Sequence, residues 1–298
     1  MDIFIQQLVN GVVLGSIYAL VALGYTMVYG ILELINFAHG EVTMFGAMIA
    51  LAVIGALLGT GVTIPGTIIV AIALAAAILV CMALGFAIER VAYRPLRRAP
   101  RLAALITAIG VSIVLQNVAM LIWGRQYISF PDVLPPGRFE VGGVTITGLQ
   151  IAMVLLSSGL MLALWVLVQR TRLGRAMRAT AQSPDLAGLM GINPNYIISV
   201  TFILGAGLAA IAGVMVAAYY TQAHYYMGFL LGLKAFTAAV LGGILLGIIE
   251  SLGAGYIGTV TGGFLGSHYQ DVFAFLVLIV VLVLRPSGLL GERVTERS

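Results

Sequence analysis

The chain has 298 residues, of which 9% are charged and 61% hydrophobic, with a mean hydropathy of +1.10. Soluble domains carry about 25% charged residues, so a water-soluble fold is excluded, and several nearly uncharged stretches reach the ~18 residues that mark a bilayer crossing. The net charge of +4 does not point to nucleic acid, because the arginines are distributed by topology, and the single Cys81 rules out a disulfide framework and reads as packing.

In chain order, the start Met1-Asp2-Ile3 lacks a basic leader segment, so Ile5–Ile31 reads as a retained first span. Gly11, Gly15 and Ala19 recur at four-residue steps along it, a small-residue stripe suited to close helix packing. The polar stretch Glu33–Glu41 follows. It reads either as a surface turn or as a break between half-helices whose ends face a translocation route, with Asn36, His39 and Glu41 as the candidate route residues.

Val42–Gly59 and Ile64–Ile88 are the next two spans, and the loop after them carries Arg90, Arg94, Arg97, Arg98 and Arg101. With four arginines between Arg170 and Arg178 and three after Leu284, twelve lie on one expected side, against Arg125 and Arg138 on the other. That asymmetry assigns the three basic segments to the cytoplasm; binding anionic lipid is an alternative use of Arg90–Arg101, though topology alone suffices to explain it. Leu102–Trp123 then runs outward, with Gln116 and Asn117 near its external end, where water is expected to satisfy their amides. An external loop over 124–147 holds a predicted β-hairpin turning at Gly142-Gly143, and Gly148–Val168 returns inward.

A polar island at about 170–194 interrupts the apolar pattern. Arg170, Arg172, Arg175 and Arg178 suit a short helix from about Gly174 to Gln182. Ser183-Pro184-Asp185 then supplies a hydroxyl N-cap, a first-turn proline and a first-turn acid for a second helix. Leu186, Leu189 and Met190 form its apolar face, and Gly191 with Asn193-Pro194 ends it. Two capped helices too polar to cross a bilayer read either as a docking element or as a solvated loop.

Tyr196–Tyr220 goes out again, with Gly205, Ala209 and Gly213 on one face. Leu230–Tyr256 spans roughly 40 Å as one helix, too long for one upright span and too short for two. Gly242-Gly243 divides it, so two shortened, discontinuous helices are expected before a last span at Val272–Leu284. Glu250 lies inside this region, either as a functional carboxylate or as a structural group, paired with Lys234 or bonded to backbone. The expected fold is an all-α polytopic membrane protein of about eight transmembrane helices, some discontinuous.

No catalytic motif appears. The chain lacks a phosphate-binding G-x-x-x-x-G-K-[ST] loop, and His39, His224 and His268 sit in different segments without metal-ligand spacing. The expectation is a pathway-forming subunit that is not itself an enzyme and needs no cofactor.

Four separated runs carry a resemblance. They are Asn10-Gly11 through Tyr29-Gly30, continued at Ile35–Glu41; Arg175–Ala187 with Gly191-Ile192-Asn193; Lys234–Gly243; and Arg285–Gly291. Together they resemble the permease family of bacterial branched-chain amino acid ABC importers, LivH type, over nearly the whole chain. The resemblance implies a single transmembrane permease domain over 1–298 in the bacterial inner membrane. It implies pairing with a second homologous permease, two cytoplasmic ATPase subunits and a periplasmic substrate-binding protein. On that pattern the island is an ATPase-coupling segment carried by Arg172, Arg175, Arg178, Pro184, Asp185, Leu189 and Gly191; Asn36, His39, Glu41 and Glu250 are the residue-based candidates for the translocation pathway. Importers of urea and short amides share these motifs, and a self-contained channel or ion-coupled carrier is the alternative of a different class. One departure stands out: about a dozen family residues that usually follow Gly242-Gly243 are absent.

Overall fold

The computed structural model describes residues 2–32, 36–61, 65–97, 99–133, 137–141, 143–260 and 270–284. Helices dominate, as uncharged apolar segments in lipid must satisfy their own backbone groups. They are α1 (Asp2–Leu32), α2 (Ala38–Gly59), α3 (Gly66–Ile88), α4 (Arg101–Trp123) and α5 (Gly148–Arg170). The short pair α6 (Arg172–Gln182) and α7 (Pro184–Leu189) is followed by α8 (Pro194–Tyr220), α9 (Met227–Leu241), α10 (Gly243–Val260) and α11 (Gln270–Leu284). A π-turn at Glu89–Tyr93 and a 3₁₀ turn at Arg94–Leu96 extend α3.

Among the described residues, six helices are long and apolar enough to cross a membrane, and a seventh crossing is reached if α9 and α10 count as one broken span. The chain turns through 118° between those two, at Gly242, whose φ of +92° only glycine adopts without strain. The expected division at Gly242-Gly243 is therefore present. The last helix, α11, has 15 residues. Glu33–Ile35, Arg98, His268 and the terminal Arg285–Gly291 run lie outside the described residues.

The described chain forms two compact units. The larger takes in Leu23–Pro135 and Gly159–Leu233. Its core is α2, α3 and α8, packed through small side chains: Ala47, Ala73, Ala77, Cys81, Ala209 and Ala210 are fully buried. A Cβ added at Gly46 would lie 2.6 Å from Ala210 Cα, and one at Gly213 would overlap the Thr43 carbonyl. The stripe expected on α8 is thus a backbone-to-backbone contact, the geometry that lets helices associate in lipid by dispersion. Two-residue strands β1 (Ile128–Ser129) and β4 (Gln222–Ala223) pair antiparallel, extended by Phe130 N–H donating to the Thr221 carbonyl at 2.9 Å. This long-range pairing left no trace in periodicity.

The smaller unit takes in Met1–Ala22, Pro136–Ser158 and Lys234–Ser298. The hairpin expected around Gly142-Gly143 is strands β2 (Arg138–Val141) and β3 (Val144–Thr147), with Gly143 at φ +82°. Gln6 on α1 holds it: its amide donates to the Thr145 carbonyl at 3.1 Å and accepts from Thr145 N–H at 2.9 Å. The α1 stripe packs on α10, since a Cβ added at Gly15 would lie 2.6 Å from Ile244 Cα and one at Gly11 2.7 Å from Ile248 Cα. Its role is packing.

Candidate functional site

In the larger unit, Thr171 caps α6 by accepting from Gly174 N–H at 3.0 Å, so the helix starts at Arg172, two residues earlier than expected. Ser183 caps α7 through Leu186 N–H at 3.3 Å, with Pro184 at the first helical position. The turn after α7 closes with Gly191 at φ +80° and Ile192 N–H donating back to the Ala187 carbonyl at 3.0 Å. Asn193 then caps α8, accepting from Asn195 and Tyr196 N–H groups. Asn193-Pro194, read as a stop, is equally the start of the next helix.

The α6–α7 pair has a fixed underside and an open outer face. Gly174, Met177, Thr180 and Ala187 are buried, and no side chain fits at Gly174 against the Leu167 and Val168 carbonyls. Arg178 donates to the Val168 carbonyl, tying α6 to the last turn of α5. Arg172, Arg175, Pro184, Asp185 and Gly191 are exposed. Leu186, Leu189 and Met190 are 63%, 84% and 82% exposed, so the predicted apolar face of α7 points away from the rest of the chain.

Also in this unit, Asn36, His39 and Glu41 are all buried. α2 begins at Ala38, so His39 and Glu41 belong to its first turns rather than to a loop. Asn36 Oδ1 accepts from Tyr93 Oη at 2.9 Å and from Ala38 N–H at 3.1 Å. The His39 ring meets Tyr25 edge-on at 6.0 Å, in space that exists because position 24 is glycine: a Cβ there would lie 2.8 Å from His39 Cε1. Glu41 Oε1 accepts from Ser112 Oγ at 2.9 Å and Gln116 Nε2 at 2.7 Å. Its Oε2 has no hydrogen-bond partner among the described residues and abuts Gly228. Gln116 is thus satisfied by a carboxylate from another helix rather than by water, while Asn117 bonds the Ile113 carbonyl at 2.8 Å.

The smaller unit holds Glu250, with Oε1 2.7 Å from Lys234 Nζ and 3.1 Å from Tyr18 Oη. Lys234 Nζ also lies 2.7 Å from Asp271 Oδ1 and donates to Tyr18 Oη at 3.0 Å. Lys234 contacts Glu250, the pairing that the sequence offered as one reading of that carboxylate. Asp271 and Tyr18 enlarge the pair to a four-residue cluster. Glu250 lies in a different unit from Asn36, His39 and Glu41. Among the described residues, no group of three or more His, Cys, Asp or Glu is placed to hold a metal ion.

Against known proteins, residues 7–282 match the family model described as branched-chain amino acid transport system / permease component. The chain belongs to this permease family. It is 44% identical over 310 aligned positions to the high-affinity branched-chain amino acid transport system permease protein LivH of Escherichia coli K12, covering 99% of this chain and 97% of that protein. It is 46% identical over 309 positions to the corresponding permease protein BraD of Pseudomonas aeruginosa, covering 99% and 98%. A more distant relative, the autoinducer 2 import system permease protein LsrC of Klebsiella pneumoniae, is 31% identical over 62% of this chain and 55% of its own length. No solved structure gives a significant match. The 310 positions aligned with LivH exceed the 298 residues of this family member by 12, so at least that many LivH residues have no counterpart here.

The sequence reading of this permease missed a network at the end of α3. Glu89, fully buried, pairs with Arg97 and accepts from Ser199 Oγ at 2.7 Å, while Arg97 also donates to Asn195. The arginine loop is thereby locked to the first turns of α8, directly after the α6–α7 pair. Ser112 as a partner of Glu41 was missed too. Its four-residue spacing from Gln116 was the available signal, since such pairs share one helix face.

Proposed function

We propose that this chain is the membrane-spanning permease subunit of an ATP-driven ABC importer of leucine, isoleucine and valine in the bacterial inner membrane. The whole chain serves as one transmembrane domain of about eight crossings, with α9 and α10 as a discontinuous element. It assembles with a second homologous permease and two cytoplasmic ATPase subunits, and a periplasmic binding protein delivers the solute. It forms the pathway and has no ATPase activity of its own.

The observation that carries this reading is the α6–α7 corner. Capped at both starts and pinned beneath by Arg178 and Gly174, it is stiff, and a stiff element passes on a displacement that a flexible loop would absorb. Its outer face exposes Leu186, Leu189 and Met190 beside Asp185, with Arg172 and Arg175 on the preceding helix. A non-polar row rimmed by charge is the composition of a protein interface. On this reading Arg172, Arg175, Asp185 and Leu189 meet the ATPase. Arg178, Pro184 and Gly191 hold the corner's shape.

The decisive experiment compares reconstituted wild-type transporter with Arg175→Ala/Asp185→Ala and with Ala187→Pro, which removes the Ala187 N–H bond to the Ser183 carbonyl. Both variants are expected to insert and to hydrolyse ATP without matching uptake. Normal stoichiometric uptake by both refutes the coupling role.

Asn36, His39 and Glu41 line or brace the route, and alanine variants are expected to lower uptake. A carrier reading draws on one observation, the contact of Lys234 with both Glu250 and Asp271, a cluster of ionisable groups that an ion relay would need. Uptake by vesicles holding this chain alone, driven by an ion gradient, would select it.

A further inference from the structure

Within the larger unit, α3, the second part of α5, and α8 enclose a cleft of about 250 Å³ that nothing in the transport reading uses. Its walls include Ile78 and Met82 of α3, Leu164 and Leu167 of α5, and Gly207 and Ile211 of α8, without one polar side chain. Gly207 forms the floor, with Met82 Cγ 3.5 Å from where its Cβ would be. We propose that this cleft is a binding site for one anionic phospholipid, an acyl chain lying in it and the phosphate resting on Arg90 and Arg170.

Three observations support this. Depth is the first. At 1.5 Å per residue, Leu167 and Leu160 lie about 5 and 15 Å along α5 from Arg170, and Met82 and Ile78 about 12 and 18 Å along α3 from Arg90. One leaflet contributes about 15 Å of hydrocarbon, so the cleft coincides with the acyl region of a single leaflet. The second is position. Arg90 follows the end of α3 by two residues and Arg170 is the last residue of α5, three after the lining Leu167, so both of these lining helices end at an arginine. The third is charge. Both arginines are exposed and neither has an ion-pair partner among the described residues, unlike Arg97, which is spent on Glu89. Guanidinium groups at the membrane surface fit phosphate oxygens through paired N–H donors.

This inference rests on reading α3, α5 and α8 as spans, but not on the coupling role or on the solute. The full chain in detergent is titrated with phosphatidylglycerol and with phosphatidylcholine of identical acyl chains, and retained lipid is read by native mass spectrometry. Phosphatidylglycerol is expected to be held more tightly. That preference is expected to fall about fivefold for each arginine lost in Arg90→Gln and Arg170→Gln, and Ala163→Phe, which fills the cleft, is expected to abolish retention of one lipid. Equal retention of both lipids, or an unchanged preference in the double arginine variant, overturns the site. So does cross-linking of an introduced cysteine at position 163 to a second permease in the assembled complex, because a protein helix would then be the occupant. Retention is read without ATPase or solute, so its failure leaves the importer reading intact.

Discussion

Replacing Lys234 by methionine keeps most of the side-chain volume but strands a carboxylate. Glu250 is fully buried, Lys234 is 6% exposed, and their charged atoms lie 2.7 Å apart. At an effective dielectric of 20, a pair at that distance attracts by about 6 kcal/mol before desolvation is counted. Losing one partner of a buried pair typically costs about 3–5 kcal/mol, because the remaining charge is left uncompensated. Asp271 adds less, since its side chain is 30% exposed and water can replace the lysine. Lys234→Met is therefore expected to destabilise by about 3–5 kcal/mol, whereas Lys234→Met/Glu250→Met is expected to recover most of that loss. The double-mutant cycle is measured by equilibrium unfolding of the purified chain in detergent, and contacting residues should show a coupling of about 0.5–3 kcal/mol or more. Additive single effects, or a Lys234→Met cost within the roughly 0.5 kcal/mol of a surface substitution, would show that Glu250 does not depend on Lys234.

Gly46→Ala is expected to destabilise by about 1–3 kcal/mol through overpacking of α2 on α8, while Gly55→Ala, with open space around it, should be neutral or stabilising; thermal melting in detergent compares them. Glu89→Gln and Arg97→Ala, which touch one network, should be non-additive in the same assay, and strict additivity would count against the pairing. Leu189→Glu/Met190→Glu is expected to leave melting unchanged, because both side chains are over 80% exposed, yet to stop co-purification of ATPase subunits. Retained co-purification would move the interface elsewhere. Glu41→Gln is expected to keep the fold, since the amide oxygen can still accept from Ser112 and Gln116, but to reduce uptake.

What the sequence by itself determined is local or statistical. The scarcity of charge and the length of apolar runs made the chain a bundle of membrane helices. The cap at Ser183, the first-turn Pro184 and the hairpin at Gly142-Gly143 all act between residues a few positions apart, so they can be read in order along the chain. Family membership was legible too, in motifs spread from Asn10 to Gly291. Tertiary structure decided the partners of buried charges. Glu41 meets Gln116 from 75 positions away, Glu89 meets Ser199 from 110, and Tyr18 meets Glu250 from 232. Periodicity shows which face of a helix is polar, but not which helix lies opposite. That depends on backbones approaching where glycine and alanine permit it, and only the packed bundle brings the two together.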